Sequence, residues 1–316
     1  MTTSKPITAK TITALILTLA LVSSNGCSQS THPAGITLAQ GRAGFTTHIT
    51  NPKNTPDAIP DPPPDQFVLV HYAAPLGSFP AYVSVQPTAT GKYPAIIWLV
   101  GGFDNSIGDT PWAPATPDND QSARAFRQDG IITMFPSLRG GNNNSGSIEC
   151  LYGEVDDVLA ARKYLASLSY VNPNRIYLGG HSTGGTLALL VDESTDQFRA
   201  VFAFGPIDEI ANYGNDRLPF DFNNDKELEL RSPIHWLDAI KSPTFVIEGT
   251  EDPSNIGPLH AMAAESKNPS IQFAEVANRN HFSELAQSTP VVAQKVALDT
   301  GPVNNISISG TDFAVR

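Results

Sequence analysis

Short apolar runs separated by polar stretches dominate the chain from residue 66 onward. Five runs are apolar almost throughout and lie at 95–100, 131–135, 176–178, 200–204 and 244–247. A strand that is apolar on both faces is typical of a parallel sheet covered by helices on both sides. The pattern therefore predicts a buried, mostly parallel sheet.

Segments before, between and after these runs complete the prediction. Residues 67–72 and 81–85 alternate as half-buried strands do, and 271–276 alternates like a strand near a sheet edge. Residues 154–165 open with carboxylates and continue with helical spacing, which favours a helix. Alternating strands and helices predict an α/β fold: a mostly parallel, twisted sheet with helices on both faces, spanning 66–296.

The first 26 residues have the pattern of an export signal. Lys5 and Lys10 precede an apolar run at 12–22, and small residues lead to Cys27. The sequence before Cys27 resembles the lipobox of bacterial lipoproteins, in which that cysteine carries the lipid. We expect residues 1–26 to be a signal peptide. The protein is then expected to be exported, and either anchored to the membrane through the lipid (periplasmic or cell surface) or simply secreted. A Cys27–Cys150 disulfide is the alternative use of Cys27.

Three further segments have their own character. Residues 27–65 are rich in proline and poor in apolar residues, which predicts an extended tether. Residues 206–240 form a long insertion that follows the carboxyl end of the run 200–204, and it is expected to act as a cap. Its aromatic residues could bind an apolar group or pack on one another. The stretch 297–316 is assigned as a C-terminal tail.

Composition and charge narrow the classes of function. The 316 residues carry 20 Lys+Arg against 31 Asp+Glu, a formal net charge of −11. Nucleic-acid binding needs a basic face, so no nucleic-acid partner is expected. Two cysteines and seven histidines exclude a multi-cysteine zinc site.

The strongest chemical signal is a G-x-S-x-G motif centred on Ser182. It follows the apolar run 176–178 and precedes a helix-like segment at 186–190. A serine on a sharp strand-to-helix turn exposes its hydroxyl, and flanking glycines let strand and helix approach. This context predicts that Ser182 is a nucleophile.

A nucleophilic serine needs a base and an oriented carboxylate. Asp252 follows the apolar run 244–247 and is the preferred acid, with Glu251, Glu248 and Asp208 as rivals. His281, in a loop after the last predicted strand, is the expected base. The order Ser, Asp, His is that of α/β-hydrolases. His260, His235 and His181 are expected to be structural.

An oxyanion hole requires two backbone donors. One is the N–H of Thr183, which follows the nucleophile. The second is expected from Gly102 or Phe103, in the loop after 95–100.

Several motifs together resemble the α/β-hydrolase catalytic domain of the prolyl-oligopeptidase and dienelactone-hydrolase type. They are Val100-Gly101-Gly102-Phe103, Ser137-Leu138-Arg139-Gly140-Gly141, 153–158, 180–185, 248–252 and Asn280-His281-Phe282. Val100 stands where the family often has His. The resemblance does not by itself choose a substrate.

Arg139 leaves two interpretations open. It could bind a substrate carboxylate through a bidentate contact, or it could pair with an acid such as Glu154 and hold its loop. The second is preferred.

Taken together, the sequence predicts an exported serine hydrolase that cleaves an ester or amide carbonyl through Ser182, His281 and Asp252, with an esterase-like preference. The alternatives are a peptidase acting on short peptides and a non-catalytic binding lipoprotein. The expected partner is a small ester or short peptide, with contact to a membrane only through the lipid. No metal or organic cofactor is required.

Overall fold

The computed structural model describes residues 35–214 and 216–314. The predicted signal peptide and Cys27 lie outside the described residues. An eight-stranded sheet organises the described chain, with strands β1 Phe67–Ala74, β2 Gly77–Ser84, β3 Tyr93–Leu99, β4 Ile132–Pro136, β5 Val171–His181, β6 Val201–Phe204, β7 Thr244–Glu251 and β8 Ile271–Asn280. The spatial order is β1-β2-β4-β3-β5-β6-β7-β8.

The sheet is parallel except at one side. Strand β2 runs antiparallel to β1 and β4, and each pair from β4 through β3 to β8 is parallel. The helices are α1 Leu38–Gly41, α2 Arg124–Gln128, α3 Glu154–Ser167, α4 Thr183–Asp192, α5 Asp225–Glu229, α6 Ile256–Glu265 and α7 Glu284–Leu298. The predicted α/β-hydrolase fold is confirmed.

Both faces of the sheet are covered, as the apolar strands require. Along β3, Ile97 and Leu99 pack with α3 and α4, whereas Ile96 and Trp98 pack on the opposite face with α2 and α7. Because the strands are parallel, the carboxyl ends of β3, β5, β6 and β7 meet at one edge of the sheet. That edge carries the predicted chemistry.

The segment predicted as a tether differs from that expectation where it is described. Leu38 is fully buried, and its N–H donates to the carbonyl of Glu193 at 2.9 Å. The Lys53 carbonyl accepts from the N–H of Ile148 at 2.9 Å. The prolines do keep this segment free of long elements, but long-range hydrogen bonds fix it against the body.

The tail is also packed. Beyond α7, Ile306, Ile308 and Phe313 are buried, and the N–H of Ile308 donates to the side chain of Gln272 on β8. The tail therefore covers the edge strand. Within the described residues, no helix is long and apolar enough to cross a membrane.

Candidate active site

Ser182 occupies a sharp turn between β5 and α4. Its φ is +57° and its ψ is −120°, a conformation that costs energy for a residue with a side chain. The surrounding packing enforces it: the Ser182 N–H donates to the carbonyl of Phe204 at 2.8 Å, and the Ser182 carbonyl accepts from the N–H of Thr186 at 2.9 Å. The strand-turn-helix context predicted from the motif is present.

The glycines of the motif are required by close approach. A Cβ on Gly180 would collide with the carbonyl of Gly184, and a Cβ on Gly184 would collide with that of Leu99. Helix α4 therefore begins directly against β3 and β5. Its first amides lie beside the serine.

His281 follows β8 and makes a hydrogen bond with a buried carboxylate. Its Nδ1 lies 3.0 Å from Oε2 of Glu248, a side chain within β7 that has no exposed surface. The other carboxylate oxygen of Glu248 accepts from the N–H of Gly249 at 2.8 Å. Since a carboxylate only accepts, the imidazole carries its proton on Nδ1, and Nε2 can accept a proton.

The preferred acid of the sequence analysis is therefore corrected. Asp252 lies beyond the end of β7 and is exposed, and within the described residues its side chain makes no hydrogen bond with His281. The backbone beyond Asp252 still contacts the histidine, since the carbonyl of Pro253 accepts from the His281 N–H at 2.9 Å. The rival Glu248 holds the position instead, Glu251 is also exposed, and Asp208 bonds Asn212.

The end of β6 brings the serine and histidine to the same place. Ser182 is hydrogen-bonded to Phe204, and the next residue, Gly205, lies against the His281 ring. A Cβ on Gly205 would lie 2.5 Å from Cε1 of His281 and 2.9 Å from Oε2 of Glu248. In the described part of the chain, neither Ser182 Oγ nor His281 Nε2 has a hydrogen-bond partner.

His181 packs against the His281 ring and bonds its backbone. It is fully buried, and its ring lies 4.5 Å from that of His281 between centroids. Its Nε2 is 2.7 Å from the carbonyl of His281, so Nε2 must be the donor. Burial first, and then the charge of His281, lower the pKa of His181 to about 3. It is a neutral structural residue, as expected.

A second buried carboxyl lies behind Glu248. Glu284, the first residue of α7, is fully buried, and neither of its oxygens makes a hydrogen bond within the described residues. Its pKa is raised well above the usual range by burial and then by the charge of Glu248. Glu284 is therefore held as a neutral acid beside Glu248.

The oxyanion loop meets the first turn of α4. The N–H of Gly102 donates to Oγ1 of Thr183 at 2.7 Å, and the same hydroxyl donates to the Gly102 carbonyl at 2.6 Å. The N–H groups of Phe103 and Thr183 have no partner in the described chain. Of the two donors left open by the sequence, Gly102 is already occupied and Phe103 is free.

A cavity of about 70 Å³ opens beside this loop. Its lining combines Gly102, Thr183 and Asp104 with apolar side chains that include Ile107, Leu138 and Leu187. Next to His281, the Phe282 ring is 37% exposed and lies 4.9 Å from the imidazole. The rim of the site thus offers apolar surface near the reacting groups.

The insertion 206–240 touches the site through one aromatic. The Tyr213 ring packs edge-on against Phe103 at 4.9 Å, and its hydroxyl bonds Oγ1 of Thr186 at 2.9 Å. Phe220 and Trp236 are buried against the body instead. The predicted cap therefore reaches the oxyanion loop, while most of its aromatics serve packing.

Arg139 forms ion pairs that hold its loop in place. Its Nε and Nη2 contact the two oxygens of Asp157 at 2.9 Å, and Nη1 lies 2.8 Å from Glu149. Glu154, the partner suggested by the sequence, accepts instead from Asn105. With the Arg139 side chain 7% exposed and each of its three nitrogens bonded to a carboxylate, the interpretation as a structural ion pair fits and the substrate-carboxylate one does not.

The other predicted structural histidines lie elsewhere. His260 is on α6 and bonds Glu275 at 2.8 Å, and His235 lies 3.4 Å from Glu209. Cys150 is a buried free thiol whose pKa is raised to about 12 by burial. Its alternative bridging partner, Cys27, lies outside the described residues.

The sequence matches one known protein family over more than half of its length. The sequence model of the prolyl oligopeptidase family matches residues 117–290, which include Ser182, Glu248 and His281. The dual function macrocyclase-peptidase POPB of Galerina marginata is 26% identical over 195 residues, covering 54% of this chain and 25% of that protein. The uncharacterized peptidase YtmA of Bacillus subtilis is 21% identical over 200 residues, covering 58% of this chain and 72% of its own.

Solved structures give the same fold. A puromycin-hydrolyzing peptidase of Mycobacterium tuberculosis superimposes with a TM-score of 0.58 at 19% identity, covering 74% of this chain and 39% of that one. The chain thus spans about a quarter of the length of the Galerina relative and well under half of the mycobacterial one.

Proposed function

Because the chain belongs to the prolyl oligopeptidase family, we propose that it is a serine peptidase that hydrolyses short peptides. One observation carries the proposal: Ser182, on its sharp turn, and His281, paired with buried Glu248, converge on the end of β6. Covalent catalysis by a serine needs a base close to its hydroxyl and a carboxylate on that base, and this convergence supports both roles.

In the proposed mechanism, Ser182 Oγ attacks the carbonyl carbon of the scissile peptide bond. His281 Nε2 accepts the hydroxyl proton as the bond forms. The resulting imidazolium is stabilised by Glu248, whose Oε2 accepts the hydrogen bond from Nδ1–H. A full negative charge on a buried carboxylate stabilises the imidazolium strongly, because the surroundings screen it poorly.

The carbonyl oxygen becomes an anion and is held by backbone N–H groups. Thr183 supplies one from the start of α4, and the oxyanion loop supplies the other. Collapse of the tetrahedral intermediate breaks the C–N bond, and His281 returns its proton to the leaving amine. Water, deprotonated by His281, then attacks the acyl-serine ester, releases the acid and regenerates Ser182.

A peptidase is preferred over the esterase expected from the sequence. The matching family and the relatives described above carry peptidase names, and none of the site residues separates the two activities. The chemistry is shared, since an ester carbonyl is attacked by the same nucleophile. What differs is protonation of the leaving group, which an amine needs more than an aryl alcohol.

The proposed peptidase activity is tested by comparing substrates that share an acyl group and differ in the leaving group, an amine or an alcohol. Wild type and Ser182→Ala are assayed on N-blocked dipeptide and tripeptide p-nitroanilides and on p-nitrophenyl esters of the same acyl groups. The proposal predicts Ser182-dependent cleavage of both series. Turnover of the esters with no cleavage of any anilide would return the assignment to an esterase, and no Ser182-dependent turnover would favour a binding protein.

We also propose that the protein is exported and anchored through lipid on Cys27. The charged start, the apolar run 12–22 and the small residues before Cys27 support this. Expression in a bacterial host should give a membrane-bound protein whose intact mass lacks residues 1–26 and includes a diacylglycerol group. Cys27→Ser should remain unprocessed or be released, and a soluble wild type without added lipid would contradict the proposal.

A further inference from the structure

The side chain of Thr183, the first residue of α4, forms two hydrogen bonds with Gly102 of the oxyanion loop. One hydroxyl accepts from the Gly102 N–H at 2.7 Å and donates to the Gly102 carbonyl at 2.6 Å. The two residues are 81 positions apart, and Thr183 is 3% exposed. Both polar groups of a loop glycine are thus satisfied by one side chain from the turn that holds the nucleophile.

This contact decides which backbone group of the loop is available to the substrate. Gly102 has a φ of +113°, which directs its N–H and C=O toward the Thr183 side chain in a conformation that favours glycine. The following N–H, that of Phe103, has no partner in the described chain. The Phe103 ring is held in turn by Tyr213, edge-on at 4.9 Å.

We propose that the Thr183 side chain is a positioning residue for the oxyanion hole: it fixes Gly102 so that the N–H of Phe103, with that of Thr183, receives the oxyanion. The inference rests on the proposed serine peptidase function. It assigns the second donor and gives the Thr183 hydroxyl a role separate from that of its backbone N–H.

The same contact could instead compete with the substrate for the N–H of Gly102. If Gly102 were the donor, the Thr183 hydroxyl would occupy its N–H at rest, and the substrate would have to displace it. Displacement would break the bond from the Gly102 N–H and leave the buried Thr183 hydroxyl without that donor. A hole that must be cleared before each turnover lacks the preorganisation on which oxyanion stabilisation depends. The geometry therefore favours the positioning role.

The two roles predict opposite effects of removing the hydroxyl. Thr183→Val keeps the shape and the backbone N–H but loses both contacts. With a positioning role, kcat falls by at least about tenfold while KM changes less than threefold, and the upper limit is the roughly hundred- to thousandfold loss seen when one oxyanion donor is removed. Thr183→Ser, which restores the hydroxyl, recovers kcat to within a few-fold. With a competitor, Thr183→Val would match or exceed wild type.

The matched control is Thr289→Val on α7. Thr289 is also a buried helical threonine whose hydroxyl bonds a backbone carbonyl, that of Leu285, at 2.7 Å. It should lower thermal stability without changing kcat. All variants are checked by circular dichroism and melting temperature. If Thr183→Val does not fold, Thr183→Ala and Thr183→Ser provide the comparison.

A crystal structure of the fluorophosphonate adduct gives the direct result. The phosphonyl oxygen should lie within hydrogen-bond distance of the Phe103 and Thr183 N–H groups, with both Thr183–Gly102 contacts intact. An oxygen bonded to the Gly102 N–H, or a wild-type kcat in Thr183→Val, overturns the inference. Failure of the wild type to react at Ser182 would instead refute the proposed function, so the two failures are distinguishable.

Discussion

His281 Nδ1 lies 3.0 Å from Oε2 of Glu248, and this pair joins the last two strands of the sheet at its catalytic edge. Glu248 has no exposed surface, whereas Asp252, four residues later, is exposed. The carboxylate that contacts the imidazole is thus carried by the strand itself and not by the turn that follows it.

The first prediction separates these two carboxylates. Glu248→Gln should lower kcat/KM by two to four orders of magnitude, because the imidazolium formed in the transition state loses its buried counter-charge. Asp252→Asn should stay within a few-fold of wild type. Kinetics on a peptide anilide, with melting temperatures for both variants, measure this. The reverse ranking would restore Asp252 as the acid.

The second prediction concerns the space at Gly205. Gly205→Ala places a Cβ 2.5 Å from the His281 ring and should displace the His281–Glu248 pair, lowering kcat by at least about a hundredfold. Gly44→Ala is the matched control: Gly44 also has positive φ, +79° against +59°, but a Cβ there meets nothing within 4 Å. Both variants carry backbone strain, so equal kinetics in the two would argue against the contact.

The third prediction concerns His181 and acid stability. Its pKa is held at about 3, below the usual value of 6.5, by burial and by the charge of His281. A group with a lowered folded-state pKa gives stability that is present above pH 6.5 and is lost as pH falls toward 3.

His181→Phe should therefore lose less stability than wild type between pH 7 and pH 4 in urea unfolding. It also removes the hydrogen bond to the His281 carbonyl, so kcat should fall several-fold. The acid limb of the kcat/KM profile should keep a single-proton slope in both proteins. A second proton in the wild-type limb would mean that His181 titrates.

The fourth prediction concerns Asp192, at the end of α4. Burial raises its pKa to about 7, although Thr244 donates a hydrogen bond to it. With the folded-state pKa raised above the unfolded value, its contribution favours the folded state below about pH 4 and is lost as pH rises to 7.

Asp192→Asn removes this titration. Relative to wild type, the variant should therefore gain stability between pH 5 and pH 8, by more than about 1 kcal/mol, since one pKa unit corresponds to about 1.4 kcal/mol. Urea unfolding at the two pH values measures the difference. Exposed Asp129→Asn is the control and should follow wild type. No difference between the two variants would contradict the assignment.

The sequence predicts the fold well because the fold depends on local patterns. All eight strands coincide with apolar or alternating segments, and helix α3 begins at the predicted Glu154. The nucleophile turn is likewise encoded locally, by glycines at the points where backbones touch. The base follows from being the only histidine after the last strands.

The acid is not determined by such patterns. Glu248 and Asp252 are four residues apart, and the apolar run does not say that β7 continues to Glu251. One signal was available: Glu248 directly follows four residues of buried strand, where a charge needs a partner. The packing of residues 38–65 depends on partners far away in the sequence, which composition does not reveal. One example is the hydrogen bond from the Ile148 N–H to the Lys53 carbonyl.

The central claim is that Ser182 is the nucleophile activated by His281. The most direct test is the rate and site of fluorophosphonate labelling, followed by peptide mapping. We predict one equivalent of label on Ser182 in wild type, none in Ser182→Ala, and labelling of His281→Ala slowed by orders of magnitude. Label on another residue, or unchanged labelling in Ser182→Ala, would contradict the account.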